Sequence, residues 1–160
     1  LRLAVTEIDY LGDTAYVASI QDITQYRSDQ EKLERVAHSD ALTGLANRTA
    51  LNHNLHHAII RADRNKQQVA LLYIDLDRFK QVNDSFGHLL GDELIHLVAQ
   101  KLASRARKTD CLGRLGGDEL LLILENITTE ATAADIAGSL IELFSEQPFT
   151  LSNGAEVLSV

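Results

Sequence analysis

Cys111 is the only cysteine among the 160 residues, so no internal disulfide can form, and a reducing, cytoplasmic compartment is expected. Proline occurs once and glycine nine times, too few for a disordered chain. Positive charge is also short. Fifteen Lys and Arg stand against 23 Asp and Glu, for a net charge of −8. Non-specific nucleic-acid binding draws mostly on phosphate neutralisation, so this balance argues against a nucleic-acid partner. An acidic protein can still bind a nucleotide when metal ions supply local positive charge. No apolar run approaches the roughly 20 residues that span a bilayer. The opening Leu1-Arg2-Leu3 is neither an initiator methionine nor a signal peptide, so a longer parent protein is expected, and the parent can still be membrane-tethered.

What is present is a 45% hydrophobic composition, enough for the core of one domain or of one domain plus a fragment. Residues 1–22 read as a hairpin, with apolar positions in near-alternation (Leu1, Leu3, Val5; Tyr16, Ala18, Ile20) and a turn at Gly12-Asp13. One hairpin is marginal alone, so it should be the tail of a larger sheet. Thr24 is a candidate N-cap for a polar helix reaching about residue 38, which reads equally as a solvated linker or a short dimeric coiled coil. Turn chemistry over 39–48 opens a second unit. Within it the pattern predicts helix 49–64, strand 68–74, helix 79–86 stopped by Gly87, and helix 90–105. Strands 110–115 and 119–124, helix 130–144 and a hairpin around Asn153-Gly154 complete it. The order α-β-α-α-β-β-α-β-β favours an α+β, ferredoxin-like fold with a central antiparallel sheet flanked by helices, its C-terminal part missing.

Two strands end in acids. Asp75 and Asp77 would project together from the end of one strand, with Leu76 pointing into the core and its carbonyl free to act as a ligand. Magnesium takes hard oxygen ligands, commonly one or two carboxylates plus substrate phosphates. The competing reading is that one aspartate, Asp77 above all, merely caps the next helix. Gly116-Gly117 suits a type I′ turn with positive φ at both central positions and leaves room for a ligand at the backbone. Asp118 and Glu119 follow it into an apolar strand, where burial is costly without a cation; a plain hairpin with exposed acids is the alternative. A calcium loop starting at Asp75 fails, because Phe79 and Lys80 occupy positions that need an oxygen ligand and a glycine. Neither a Walker motif nor a dinucleotide fingerprint occurs. His53, His56 and His57 share a helix without an acidic or cysteine partner at ligand spacing and read as solvated. Arg107 and Asp110, taken alone, read as a surface ion pair.

Taken together, four spaced segments resemble the GGDEF family of diguanylate cyclases. They are Asp40-Ala41-Leu42-Thr43-Gly44-Leu45-Ala46-Asn47-Arg48, then Ile74-Asp75-Leu76-Asp77-Arg78-Phe79-Lys80, then Val82-Asn83-Asp84-Ser85-Phe86-Gly87-His88 with Gly91-Asp92-Glu93, and Arg114-Leu115-Gly116-Gly117-Asp118-Glu119-Leu120. The hairpin and Asp22-Ile23-Thr24 resemble the end of a PAS sensor domain, which implies residues 1–24 as sensor, 25–38 as signalling helix and 39–160 as the GGDEF domain. The resemblance implies a nucleotidyl-cyclase palm that condenses two GTP into cyclic di-GMP with loss of pyrophosphate. It implies Mg²⁺, or Mn²⁺, held by Asp75, the Leu76 carbonyl and Asp118. Asn83 and Asp92 would read the guanine, and Phe79, Lys80, Gly116 and Gly117 would lie against the phosphates. Asp118 or Glu119 would assist deprotonation of the attacking 3′-hydroxyl. Each protomer would hold one GTP, so a homodimer is implied. Arg107 and Asp110 match the inhibitory product-site motif. Leu120 departs from the phenylalanine of the name motif, and a later strand and phosphate-binding helix are absent. The rival implication is a weak or inactive module that binds GTP or cyclic di-GMP and regulates a neighbouring phosphodiesterase.

Overall fold

The computed structural model describes residues 1–10, 13–25, 36–145 and 148–157. It divides the chain into two units, Leu1–Val36 and Ala37–Val160. In the first, β1 (Arg2–Tyr10) and β2 (Asp13–Gln21) pair antiparallel from Arg2↔Gln21 to Tyr10↔Asp13. Leu3 stands opposite Ile20 and Val5 opposite Ala18, so these apolar side chains share one face. Asp13 is a paired strand residue rather than part of the expected turn, and Gly12 lies outside the described residues. Asp22, not Thr24, supplies the capping oxygen. Both the N–H and the hydroxyl of Thr24 donate to Asp22 Oδ1, at 2.9 and 2.6 Å. Residues 24–25 and 36–38 are helical, while 26–35, and with them the choice between linker and coiled coil, lie outside the described residues.

The second unit starts with α1 (Arg48–Asn65), whose N-cap Asn47 accepts the Ala50 N–H at 3.0 Å. It closes at Lys66, which takes a left-handed φ of 56°. Then come β3 (Gln68–Asp75), α2 (Phe79–Phe86), α3 (His88–Ala103), β4 (Cys111–Gly116), β5 (Glu119–Ile127) and α4 (Glu130–Ser145), and last β6 (Phe149–Thr150) and β7 (Glu156–Val157). The sheet is antiparallel in the order β3-β5-β4. Period-two alternation splits central strand β5 between two faces. Leu120, Leu122 and Leu124 enter one core with Leu94, Ile95, Val98 and Leu102 of α3 and Leu140 and Phe144 of α4. Ile123 turns the other way, onto Leu51 and Ala58 of α1. Full burial of each such side chain is worth about 1.5–3 kcal/mol. Helices therefore cover both faces of an antiparallel sheet, the α+β architecture expected.

Boundaries moved for identifiable reasons. Helix α3 begins at His88, earlier than the apolar periodicity suggests, because Gly87 (φ 84°) ends α2 and opens α3 at once. The Asn153-Gly154 hairpin forms, with Gly154 at φ 82° and its N–H on the Leu151 carbonyl at 2.8 Å, but its strands are two residues each and 158–160 lie outside the described residues. Glu93 ties α3 to this hairpin by accepting the Ser152 N–H at 2.8 Å and hydroxyl at 2.7 Å. Among the described residues, no helix is long and apolar enough to cross a membrane.

Candidate functional site

The sheet register brings the acidic strand ends together. Asp75 is the last residue of β3 and pairs with Glu119, the first of β5, while Asp118 lies in the β4–β5 connection beside them. The Asp75 carboxyl is pushed above the usual aspartate range, by desolvation first and then by the negative charges of Asp118, Glu119 and Asp77. Tyr73, two residues back on the same face, has its hydroxyl pKa raised, chiefly by a hydrogen bond to Glu119. Among the described residues no three His, Cys, Asp or Glu form a ready-made metal cage. The donor set nonetheless fits a hard divalent cation that completes its shell with phosphate and water, because such an ion needs only one or two protein carboxylates. Mutual repulsion among these acids is what that cation would relieve.

Several expected details change. The Leu76 carbonyl is not free: it accepts the Phe79 N–H at 3.1 Å, leaving one lone pair for a ligand. The Leu76 side chain is buried in the core, although Leu76 stands one residue past the end of β3. Asp77 does not occupy the N-cap of α2; Arg78 does, at φ 60° and with no side-chain capping bond. The two-residue connection is Gly117-Asp118 rather than Gly116-Gly117, because Gly116 pairs with Glu119 and Leu115 is an extra residue in β4. Positive φ falls at Gly116 (144°) and Gly117 (56°) but not at Asp118, so the turn is not type I′. A Cβ at either glycine would meet nothing within 4 Å, which leaves open space at the backbone. Leu120 is fully buried on the core face, opposite in direction to Glu119, so the departure from phenylalanine is a packing change.

The turn is held by side chains that the strand pattern alone does not reveal. Arg114 donates from Nε and Nη2 to the Gly117 carbonyl at 2.9 and 2.7 Å, and from Nη1 to Asp40 at 3.2 Å. Asp40 also accepts the Thr43 N–H and hydroxyl, at 2.9 and 2.7 Å. Desolvation pushes the Asp40 carboxyl up, but the Thr43 bonds and Arg114 together outweigh it and hold it below the usual range. Arg48 adds a second strap, with Nη2 on the Leu115 carbonyl at 3.2 Å. Sequence offers only the local half of this network, the Asp40-to-Thr43 turn.

Asn83 of α2 and Asp92 of α3 lie on adjoining helices. The Asn83 side chain packs over Gly91, the neighbour of Asp92, and its Oδ1 is buried without a hydrogen-bond partner. A Cβ at Gly91 would overlap that amide oxygen and press on the Phe79 ring. Gly91→Ala is therefore expected to cost about 1–3 kcal/mol by overpacking and to displace Asn83. A thermal melt with a nucleotide titration checks this; unchanged stability and affinity would contradict it. The Phe79 ring packs against the core and Lys80 is exposed. Arg107 and Asp110 close a turn through the backbone, with the Arg107 N–H on Asp110 Oδ2 and the Asp110 N–H on the Arg107 carbonyl, both at 3.0 Å. They form no side-chain ion pair, so the exposed Arg107 guanidinium is not spent on Asp110. A cavity of about 210 Å³ beside them is lined also by Arg105, Leu122, Ile136 and Ser139.

Comparison with known proteins follows the same outline. The family model described as "Diguanylate cyclase, GGDEF domain" matches residues 37–159. Cyclic di-GMP phosphodiesterase PdeR of Escherichia coli is 43% identical over 118 residues, 74% of this chain and 18% of that protein. Diguanylate cyclase TpbB of Pseudomonas aeruginosa is 32% identical over 157 residues, 96% of this chain and 36% of that protein. The chain thus spans about a third or less of these relatives. Among solved structures, the coiled coil and GGDEF domain of DgcB from Caulobacter crescentus, in complex with c-di-GMP, superposes with a TM-score of 0.76 at 28% identity, over 85% of this chain and 71% of that one.

Proposed function

Because the chain belongs to the GGDEF family of diguanylate cyclases, we propose that its second unit supplies one half of a two-GTP active site that makes cyclic di-GMP. The observation that carries this reading is the register Asp75↔Glu119 with Asp118 in the adjoining turn, where desolvation and then the charges of these acids raise the Asp75 carboxyl. Asp75, Asp118 and the remaining lone pair of the Leu76 carbonyl would hold Mg²⁺, or Mn²⁺. When bound, that ion neutralises charge developing on the α-phosphate. Asn83 and Asp92 would orient the guanine by its donor and acceptor edge. Lys80 and the open backbone at Gly116 and Gly117 would face the phosphates, with Phe79 packed behind them. In each half-reaction a 3′-oxygen bonds to the α-phosphorus of the other GTP and pyrophosphate leaves, the hydroxyl proton passing to Glu119 or Asp118. Two protomers facing each other supply the proximity this needs.

With residues 1–24 as the end of a sensor domain and 25–38 as its signalling helix, the input would act by setting that approach. Arg107 and Asp110, with the cavity beside them, would take the product as an inhibitor. Arg107→Ala is expected to weaken cyclic di-GMP binding at least tenfold, by loss of a bidentate phosphate or guanine contact, while initial turnover stays unchanged. Equal product affinity in calorimetry would remove that assignment. Guanine reading is tested by offering the full-length protein GTP and ATP together with Mg²⁺: only GTP should be consumed, and comparable loss of ATP would overturn it. The likeness to PdeR, whose name is that of a phosphodiesterase, favours a second reading, a nucleotide-binding module that regulates a fused phosphodiesterase domain. GTP binding without product would select it.

A further inference from the structure

The outward face of α1 carries a pair of imidazoles that the proposed GTP site does not use. His53 and His57 are one helical turn apart, both exposed, with Nε2 atoms 3.1 Å from each other and ring centroids 4.4 Å apart at 61°. The opposite face of the helix is fixed by the burial of Leu51 and Ala58, so the pair sits on an anchored turn rather than a loose segment. Two imidazole nitrogens bound to one ion at about 2.0–2.1 Å stand about 2.9 Å apart at a right angle and about 3.3 Å apart at the tetrahedral angle. The observed spacing falls between these limits. Little rearrangement is needed for both lone pairs to meet one ion.

We propose that His53 and His57 form a two-histidine chelate for a divalent transition-metal ion, Cu²⁺ in preference to Ni²⁺ and Zn²⁺, with water completing the shell. Nitrogen ligands select this class, and affinity within it rises to Cu²⁺, whereas Mg²⁺ prefers oxygen ligands and does not compete. The same 3.1 Å separation also suits one N–H···N hydrogen bond between neutral rings. Binding replaces that bond: the donating ring moves its proton from Nε2 to Nδ1, both Nε2 lone pairs go to the ion, and no net proton is lost. Among the described residues no third His, Cys, Asp or Glu completes a cage, so the site stays open to water. His56 stands beside His57 with ring centroids 5.8 Å apart, against 4.4 Å within the pair, and is the internal control.

The test is calorimetric titration of the tag-free chain with CuCl₂ and with ZnCl₂, in a non-coordinating buffer containing excess Mg²⁺, together with thermal melts. One ion per chain should bind at this site, and the ion should raise Tm by bracing one turn of α1. His53→Ala and His57→Ala should each weaken that binding by about tenfold or more and abolish the Tm shift, since losing even an outer partner of a ligand costs about 10–100-fold. His56→Ala should stay within about twofold of the parent by the same geometry. The proposal is overturned by no binding, by affinity unchanged in both His53→Ala and His57→Ala, or by an equal loss in His56→Ala. Because the three histidines are exposed, the variants fold like the parent, and a melt without metal verifies it.

Discussion

Asp118→Ala is expected to lower cyclic di-GMP formation by about 10²–10³-fold, the usual cost of removing one electrostatic support from a reacting phosphoryl or acyl centre. The same substitution should leave Tm unchanged or slightly raised. Asp118 stands in a two-residue connection and its charge adds to the repulsion on Asp75, so its removal relieves the folded state. The linkage has a definite sign. A carboxyl whose folded pKa lies above the unfolded value makes folding more favourable as pH falls through that window, just above the ordinary aspartate value. Asp118→Ala removes part of that gain, because the Asp75 pKa returns toward normal. Loss of activity without loss of stability marks a residue kept for chemistry. Turnover within tenfold of the parent, or inactivity that merely tracks unfolding, would count against the assignment.

Arg114→Ala should act in the reverse order, through structure first. The Arg114 and Asp40 side chains are 13% and 21% exposed, so the pair is largely shielded but not fully buried. Breaking a buried pair costs about 3–5 kcal/mol, and partial access to water brings the expected loss here to about 2–4 kcal/mol. The Gly117 carbonyl loses both of its Arg114 donors, and the acidic turn loses its fixed position. Turnover should therefore fall even where the chain remains folded. Asp40 supplies the pH signature. Its folded pKa is depressed, so its stabilisation is present above the ordinary aspartate value and lost as pH falls through the folded one. Without Arg114 the depression shrinks and acid unfolding begins at higher pH. Arg114→Lys should restore part of the stability but not the paired bonds to Gly117, since only arginine presents two donors in a fixed fork. A denaturant series at pH 7 and pH 4 measures both effects. Identical curves for parent and Arg114→Ala would contradict the strap.

How much of this was legible in the sequence depended on range. Local pattern located the strands and helices of the second unit: apolar runs and helical spacing mark the buried segments, and Asn153-Gly154 marks the last hairpin. Asp75 and Asp118 pair on sequence grounds because one closes an apolar strand and the other directly precedes one. Where one residue serves two elements, as Gly87 does between α2 and α3, periodicity misplaced the boundary. The bulge at Leu115 likewise shifted the turn by one residue, and no side-chain pattern announces a bulge. The long-range partners were not readable at all. Nothing near Asp40 names Arg114, 74 positions away, and nothing in Gly91 names the Asn83 amide that requires it. A strand end by itself implies a free Leu76 carbonyl, and only the tight turn that follows brings the Phe79 N–H onto it.

The most direct measurement is product identification. The full-length protein that carries this chain is incubated with GTP and Mg²⁺, and the mixture is resolved by chromatography and mass spectrometry beside the Asp118→Ala variant. Cyclic di-GMP is expected, with two pyrophosphates for each molecule formed, and at most about a hundredth as much of either from the variant. GTP that is bound but returned intact, or cyclic di-GMP formed equally by Asp118→Ala, would contradict the cyclase reading.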